Sequence, residues 1–352
     1  MNIQDITRQI KRNCDISDAQ NWGYYSICGL LMRMRELYQH EHALMPWSPV
    51  SSNNVSDWIS ERENLWHELE DKSLEEIVIE GKNYNPFDSA DLNKLLEPFG
   101  YVYGGGFGTF NKPQFFLGRL QEKREIYDYM VHSVGTELCR DLSLDPALLQ
   151  GRCIYVRQDA IVTIFWDRFQ TMTSGRCESL IEEVFRRYGV TKNAVLSEEF
   201  ILGIDRITHA AADLFVHHEI GEAFEDELSE EWFGIITSVC DKFSELYLRG
   251  MKDIMADTSG MGSLRRIVQE EDENLLFLYV AMLDGIRKDL FPDIRKAFGE
   301  YRHTKKWQVI EEARQCGYKR AAEMKYAVIA YWREGGTPGG LQVLIRDRVG
   351  NR

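Results

Sequence analysis

Residues 205–222 read DRITHAAADLFVHHEIGE, a helical pattern that also holds the densest set of potential ligands in the chain. At about 100° per residue, Ile204, Ile207, Ala211, Leu214 and Phe215 line one side of a helix. His218 and Glu222 fall inside that apolar stripe, four residues apart, so both side chains are expected to face the core. A histidine and a carboxylate on one partly desolvated face can hold a divalent metal or act as an acid/base pair with shifted pKa values. The structural alternative is a His–Glu pair satisfied by neighbouring polar groups, since burial without partners is costly. Asp205, His209, Asp213 and His217 form a second stripe on the opposite side, and two faces cannot build one site. The string HEIGE departs from the zinc-binding H-E-x-x-H pattern by placing Glu222 where the second histidine belongs.

Outward from this helix, helical periodicity runs through 177–188, 197–227, 230–256, 264–290, 292–301, 307–316 and 320–332. The tail from 335 contains GGTPGG and reads as a flexible turn followed by a short strand or docked segment. Residues 176–352 are therefore expected to be an all-α domain. Residues 99–175 have a different texture. Tyr101, Val102 and Tyr103 lead into Gly104, Gly105, Gly106 and Gly108, and Phe115 to Leu117 follow, which predicts two strands around a glycine-rich turn. Further strands at 132–138 and 153–157, parted by a loop at 143–151, and a helix at 158–170 complete a small α/β element with a mixed sheet, packed with the N-terminal region. In residues 1–98, apolar spacing predicts helices over 21–45 and 56–79, a helical hairpin. The fold class is mainly α.

On the first hairpin helix Glu41 falls in the apolar stripe, and on the second Arg62 does the same. Buried charges usually pair, so a Glu41–Arg62 ion pair is expected to lock the hairpin. The alternative brings Glu41 beside His218 and Glu222, as ligands converge inside metal-binding helical bundles. The paired Glu-x-x-His motifs of such bundles are absent, because Glu36 and His40, and Glu63 and His67, stand four apart. The candidate metal ligands are thus His217, His218, Glu219 and Glu222, and the candidate catalytic groups His218, Glu222 and Glu41. His132, Glu137, Arg140 and Asp141, near the strands, are candidates to line a cleft at the boundary between regions, with Arg140–Asp141 read more simply as a structural pair.

The remaining composition excludes more than it assigns. The glycine cluster lacks the G-x-G-x-x-G spacing, with Thr109 where the third glycine belongs, and no Gly-Lys-Ser/Thr follows. A bent hairpin with close backbone approach is the expectation there, and no nucleotide site. Neither a G-x-S-x-G elbow nor an activated cysteine context occurs. A formal charge of -14 disfavours nucleic acid and anionic membranes. The segment 295–325, with nine Lys or Arg against four Glu and interleaved Tyr301, Trp307 and Tyr318, reads as a solvated helix face. Seven widely spaced cysteines without a C-x-x-C pair read as buried reduced thiols. With no secretory leader pattern at the N-terminus and a longest apolar run of nine residues, 275–283, a cytoplasmic protein is expected. Two functions follow from this reading. One is a non-catalytic interaction or regulatory protein that docks a protein partner or a second copy. The other is a metal-dependent or acid/base enzyme with a divalent metal on the helix carrying His209 to Glu222.

Overall fold

Helix α1 (Ile3–Asn21) turns three hydrophobic side chains, Ile6, Ile10 and Cys14, toward a sheet, and that contact organises the first half of the protein. The computed structural model describes residues 2–108, 111–174, 179–192, 196–225, 229–239 and 241–350. It divides into two compact units, residues 1–174 and 175–352. Among the described residues the chain is mainly helical, with helices at both ends and a five-stranded mixed sheet between. None of the described helices is long and apolar enough to cross a membrane.

In the first unit, α1 is followed by α2 (Ile27–Glu41) and α3 (Ser52–Leu69), the expected hairpin. The second hairpin helix stops at Leu69 instead of running to 79. Ile77, Val78 and Ile79 alternate buried, exposed, buried, and form strand β1 (Ile77–Ile79), paired antiparallel with β2 (Lys82–Tyr84) through a turn in which Glu80 and Gly81 both have positive φ. After α4 (Ser89–Leu96) come β3 (Tyr101–Phe107), β4 (Pro113–Ile126), β5 (Tyr129–Arg140), β6 (Ala147–Gln150) and β7 (Cys153–Arg157), in the order β3-β4-β5-β7-β6. All neighbours are antiparallel except β5 and β7, and helix α5 (Gln158–Thr173) closes the unit. Gly104, Gly105 and Gly106 lie within β3 and not in a turn. The reason is lateral: Gly104 faces Phe116, and a Cβ on it would come within 2.1 Å of that ring. Thr109, beside this stretch, lies outside the described residues. The loop expected at 143–151 contains β6.

The second unit contains only helices among its described residues: α6 (Ser179–Arg187), α7 (Glu198–Phe224), α8 (Ser229–Ser238), α9 (Lys242–Thr258), α10 (Ser263–Glu270), α11 (Glu273–Met282), α12 (Gly285–Leu290), α13 (Pro292–Thr304), α14 (Trp307–Arg333) and α15 (Pro338–Gly350). Four boundaries differ from the sequence pattern. The stretch 230–256 is two helices, α8 ending at Ser238 and α9 starting at Lys242 behind its Asp241 cap. The stretch 264–290 is three helices, divided at Glu271, whose φ is positive, and at Asp284. Residues 307–333 form one helix where two were expected. The tail is a docked segment, as one alternative had it, with Leu341 and Ile345 buried, but it is a helix and not a strand, with Pro338 at its first position, where its missing N–H is no loss. The residues expected at the ends of two helices, 177–178 and 226–227, lie outside the described ones.

Candidate functional site

Helix α7 is started by Ser197, whose hydroxyl accepts from Phe200 N, and it places His218 and Glu222 one turn apart near its far end. Helix α9 is started by Asp241, which accepts from Ser244 N, and it carries Asp253 and Asp257 one turn apart. The two helices meet closely at Gly221, where a Cβ would lie 2.2 Å from the carbonyl oxygen of Ala256. Only glycine permits that approach, and it brings the two acidic groups of α9 against the His–Glu pair of α7.

His218 is then held from both ends. Its Nδ1 lies 2.9 Å from Asp257 Oδ1, and its Nε2 lies 3.4 Å from Glu222 Oε1. One ligand atom each from His218, Glu222 and Asp253 lie within 4.8 Å of one another. Asp257 is itself fixed: Tyr279 donates its hydroxyl to Oδ2 at 3.2 Å, and the Ser263 hydroxyl lies 3.1 Å from Oδ1. On the outer side Lys252 Nζ meets Glu222 Oε2 at 2.5 Å, and Arg287 Nη1 stands 4.0 Å from Asp253 Oδ2. Burial opposes a charge on His218, but Asp257 and then Glu222 outweigh it and hold the imidazole well above its ordinary pKa. Burial likewise opposes the Glu222 charge, yet Lys252 and His218 hold that carboxyl down at about 2. Asp253 is pushed up, chiefly by burial.

Of the residues singled out in the sequence, His218 and Glu222 come together. His217 does not join them: it is buried, with Nε2 4.0 Å from Asp213 Oδ1. Glu219 contributes no atom to the three-ligand group, although its charge helps raise the pKa of Lys252. His209 is exposed, 3.6 Å from Asp205. Glu41 belongs to the N-terminal unit, where the expected ion pair is present: Arg62 Nη2 meets Glu41 Oε2 at 2.6 Å and Arg62 Nη1 meets Asp15 Oδ1 at 2.6 Å. Lys11 and Trp58 Nε1 also reach Glu41, and Lys11 and Arg62 hold its carboxyl down against the burial that pushes it up. Arg140 and Asp141 do not pair through their side chains. Arg140 Nη1 donates to the main-chain oxygen of Asp141, whose carboxylate takes Lys112 instead. Sequence reading missed Asp253 and Asp257. They lie four apart beside the buried positions Tyr247, Gly250, Met251 and Ile254 of α9, a signal of the same kind as His218 and Glu222.

The model of the DUF6866 N-terminal domain matches residues 5–157, and that of the DUF6866 C-terminal domain matches residues 162–350. The chain belongs to the DUF6866 family. Both models describe a family of unknown function. No curated protein and no solved structure matches the chain. Within this DUF6866 chain the His218 cluster lies wholly in the segment matched by the C-terminal model, and the Glu41–Arg62 network wholly in the N-terminal one. The cysteines differ from expectation in part: Cys14 and Cys139 are buried, but Cys28 and Cys316 are exposed, and Cys177 and Cys240 lie outside the described residues. In the basic segment 295–325, Arg302 meets Glu183 at 3.0 Å, Lys305 meets Glu273 at 2.6 Å and Arg320 meets Asp293 at 2.6 Å, all acids of other helices.

Proposed function

We propose that this protein is a divalent-metal-dependent enzyme whose centre is made by His218, Glu222 and Asp253. The observation that carries the reading is the two-ended environment of His218. Its Nδ1 is anchored by a carboxylate, itself hydrogen-bonded, while its Nε2 meets Glu222 at 3.4 Å, and Asp253 completes a group of three ligand atoms within 4.8 Å of one another. Metal-binding histidines share this arrangement, in which an outer carboxylate fixes the tautomer and ring orientation. The donor set fits: ligand atoms about 2.1 Å from a tetrahedral centre lie about 3.4 Å apart, and His218 Nε2 and Glu222 Oε1 are separated by 3.4 Å. Three protein ligands leave coordination positions open for a reactant, as in catalytic rather than structural centres.

A divalent cation held there supplies Lewis acidity toward a substrate oxygen. The rest is the work of the chain. Asp257 keeps the His218 proton on Nδ1, so that Nε2 is the coordinating nitrogen. Lys252 binds the outer oxygen of Glu222, leaving Oε1 for the centre. Arg287, 4.0 Å from Asp253 Oδ2, offsets the charge of the third ligand in the same way. Elemental analysis after dialysis against Zn²⁺ or Mn²⁺ tests this. The expected result is about one metal ion per chain, lost in His218→Ala/Glu222→Ala with circular dichroism unchanged. Equal metal content in the double variant would overturn it.

A second reading, a protein-interaction module, is supported by α2. Ile27 is 81% exposed, and Leu31, Met32, Trp22 and Tyr24 are each about half exposed. Apolar side chains gathered in this way mark interaction surfaces. Sedimentation of Ile27→Asp/Leu31→Asp beside the wild type tests it: a loss of self-association or of a bound partner supports docking, and unchanged sedimentation of a monomer counts against it.

A further inference from the structure

After Glu273 and Asn274, helix α11 reads LLFLYVAM, and the phenol of Tyr279 is the only polar side-chain group in that run. Tyr279 is buried, so its hydroxyl needs an acceptor inside the protein. That acceptor is Asp257 Oδ2, at 3.2 Å. Ser263, at the start of α10, reaches the other oxygen of the same carboxylate. Gly262 makes this possible: a Cβ there would lie 2.0 Å from the carbonyl oxygen of Ala256, and without one the chain turns back on the end of α9. The Ser263 hydroxyl is 3.1 Å from Asp257 Oδ1 and 3.0 Å from the carbonyl oxygen of Leu214, so its single proton has two acceptors. Oδ1 is already met by His218 Nδ1 at 2.9 Å. Among the described residues, Oδ2 takes its hydrogen bond from Tyr279 alone.

We infer that Tyr279 is a positioning residue of the metal centre: by holding Asp257 Oδ2 it keeps Oδ1 set on His218 Nδ1, and so keeps Nε2 turned to Glu222. This role rests on the metal-dependent function proposed above, and extends it to a helix that supplies no ligand. Two effects of losing the hydroxyl oppose each other. The carboxylate becomes a stronger base, which strengthens His218 as a ligand. It also keeps a buried oxygen without a donor, and is free to turn away from the imidazole. The second effect is the larger, since losing an outer-shell contact outright costs about 10- to 100-fold in metal affinity.

Competition for Zn²⁺ between the full chain and a chromophoric chelator tests this in the wild type, Tyr279→Phe, Asp257→Asn and the double variant. Tyr279→Phe is expected to weaken Zn²⁺ binding about three- to tenfold, the worth of one hydrogen bond. Because Tyr279 acts through Asp257, it is expected to add nothing in the Asp257→Asn background, whereas damage to the packing of α11 would add its loss in full. Should Tyr279→Phe fail to fold, Tyr279→Met runs the same cycle. No Zn²⁺ binding by the wild type would overturn the metal-dependent function and this role together. Binding by the wild type, with equal or higher affinity in Tyr279→Phe or with losses that add in the double variant, would overturn the role of Tyr279 alone.

Discussion

Lys112 and His218 are both basic groups buried among carboxylates, one in each unit, and they differ in how completely they are used. Lys112 has three N–H bonds and three acceptors, Asp18, Asp141 and the Ser143 hydroxyl at 3.1 Å. Its network is saturated, and the negative side holds its pKa high although burial opposes the charge. His218 has Nδ1 2.9 Å from Asp257 and Nε2 3.4 Å from Glu222, and Asp253 joins the group within 4.8 Å, its own cation, Arg287, standing 4.0 Å away. A saturated cluster ties elements together. On the function proposed above, the looser cluster is the one that takes a cation.

The largest effect that can break this contrast concerns the saturated side. Lys112→Met leaves Asp18 and Asp141 buried without their cation, and is expected to cost about 3–5 kcal/mol of stability. Chemical denaturation measures it, and a loss below about 1 kcal/mol would show that the network is no lock. On the open side the expected loss is in binding and not in folding. Asp257→Asn is expected to weaken metal affinity about 10- to 100-fold, the usual cost of removing an outer-shell carboxylate, while the denaturation midpoint moves far less than in Lys112→Met. Competition with a chromophoric chelator reads the affinity.

The smallest effect sharpens the comparison through pH. Burial, and then the neighbouring Glu137, push the Asp159 carboxyl up to about 6, above its ordinary 3.8. A raised carboxyl favours the folded state when protonated, so its contribution is complete below about pH 4 and is lost as pH rises through about 6. Asp159→Asn retains an acceptor for Glu137 N, which Asp159 Oδ2 meets at 2.9 Å, and removes the titration. Its stability advantage over the wild type is expected to grow by about 2 kcal/mol between pH 4.5 and pH 7. Parallel curves across that range would refute the assignment.

Helical periodicity made the C-terminal helices, the α2–α3 hairpin and the His218–Glu222 pair legible, because in each the apolar residues mark the inward face. Helix α1 was not legible for the converse reason. Its inward positions include Asn13, Asp15, Ser17 and Asp18, which serve hydrogen bonds and ion pairs to other elements, so the apolar stripe fades. The Glu41–Arg62 pair was legible as two charges placed in apolar stripes, but its third and fourth members, Asp15 and Lys11, lie on that unread helix. Asp253 and Asp257 were hidden by distance: 35 residues separate Asp253 from His218 in number, and only the packing of α9 on α7 at Gly221 joins them.

The central claim is that a divalent cation takes the place of the proton on His218 Nε2. Calorimetric titration of Zn²⁺ into the protein near neutral pH, repeated in buffers of different ionisation enthalpy, counts the protons displaced. Because Asp257 and Glu222 hold His218 protonated there, the account predicts about one proton released per ion bound, abolished in His218→Ala. Binding without proton release, or the same release from the variant, would contradict it.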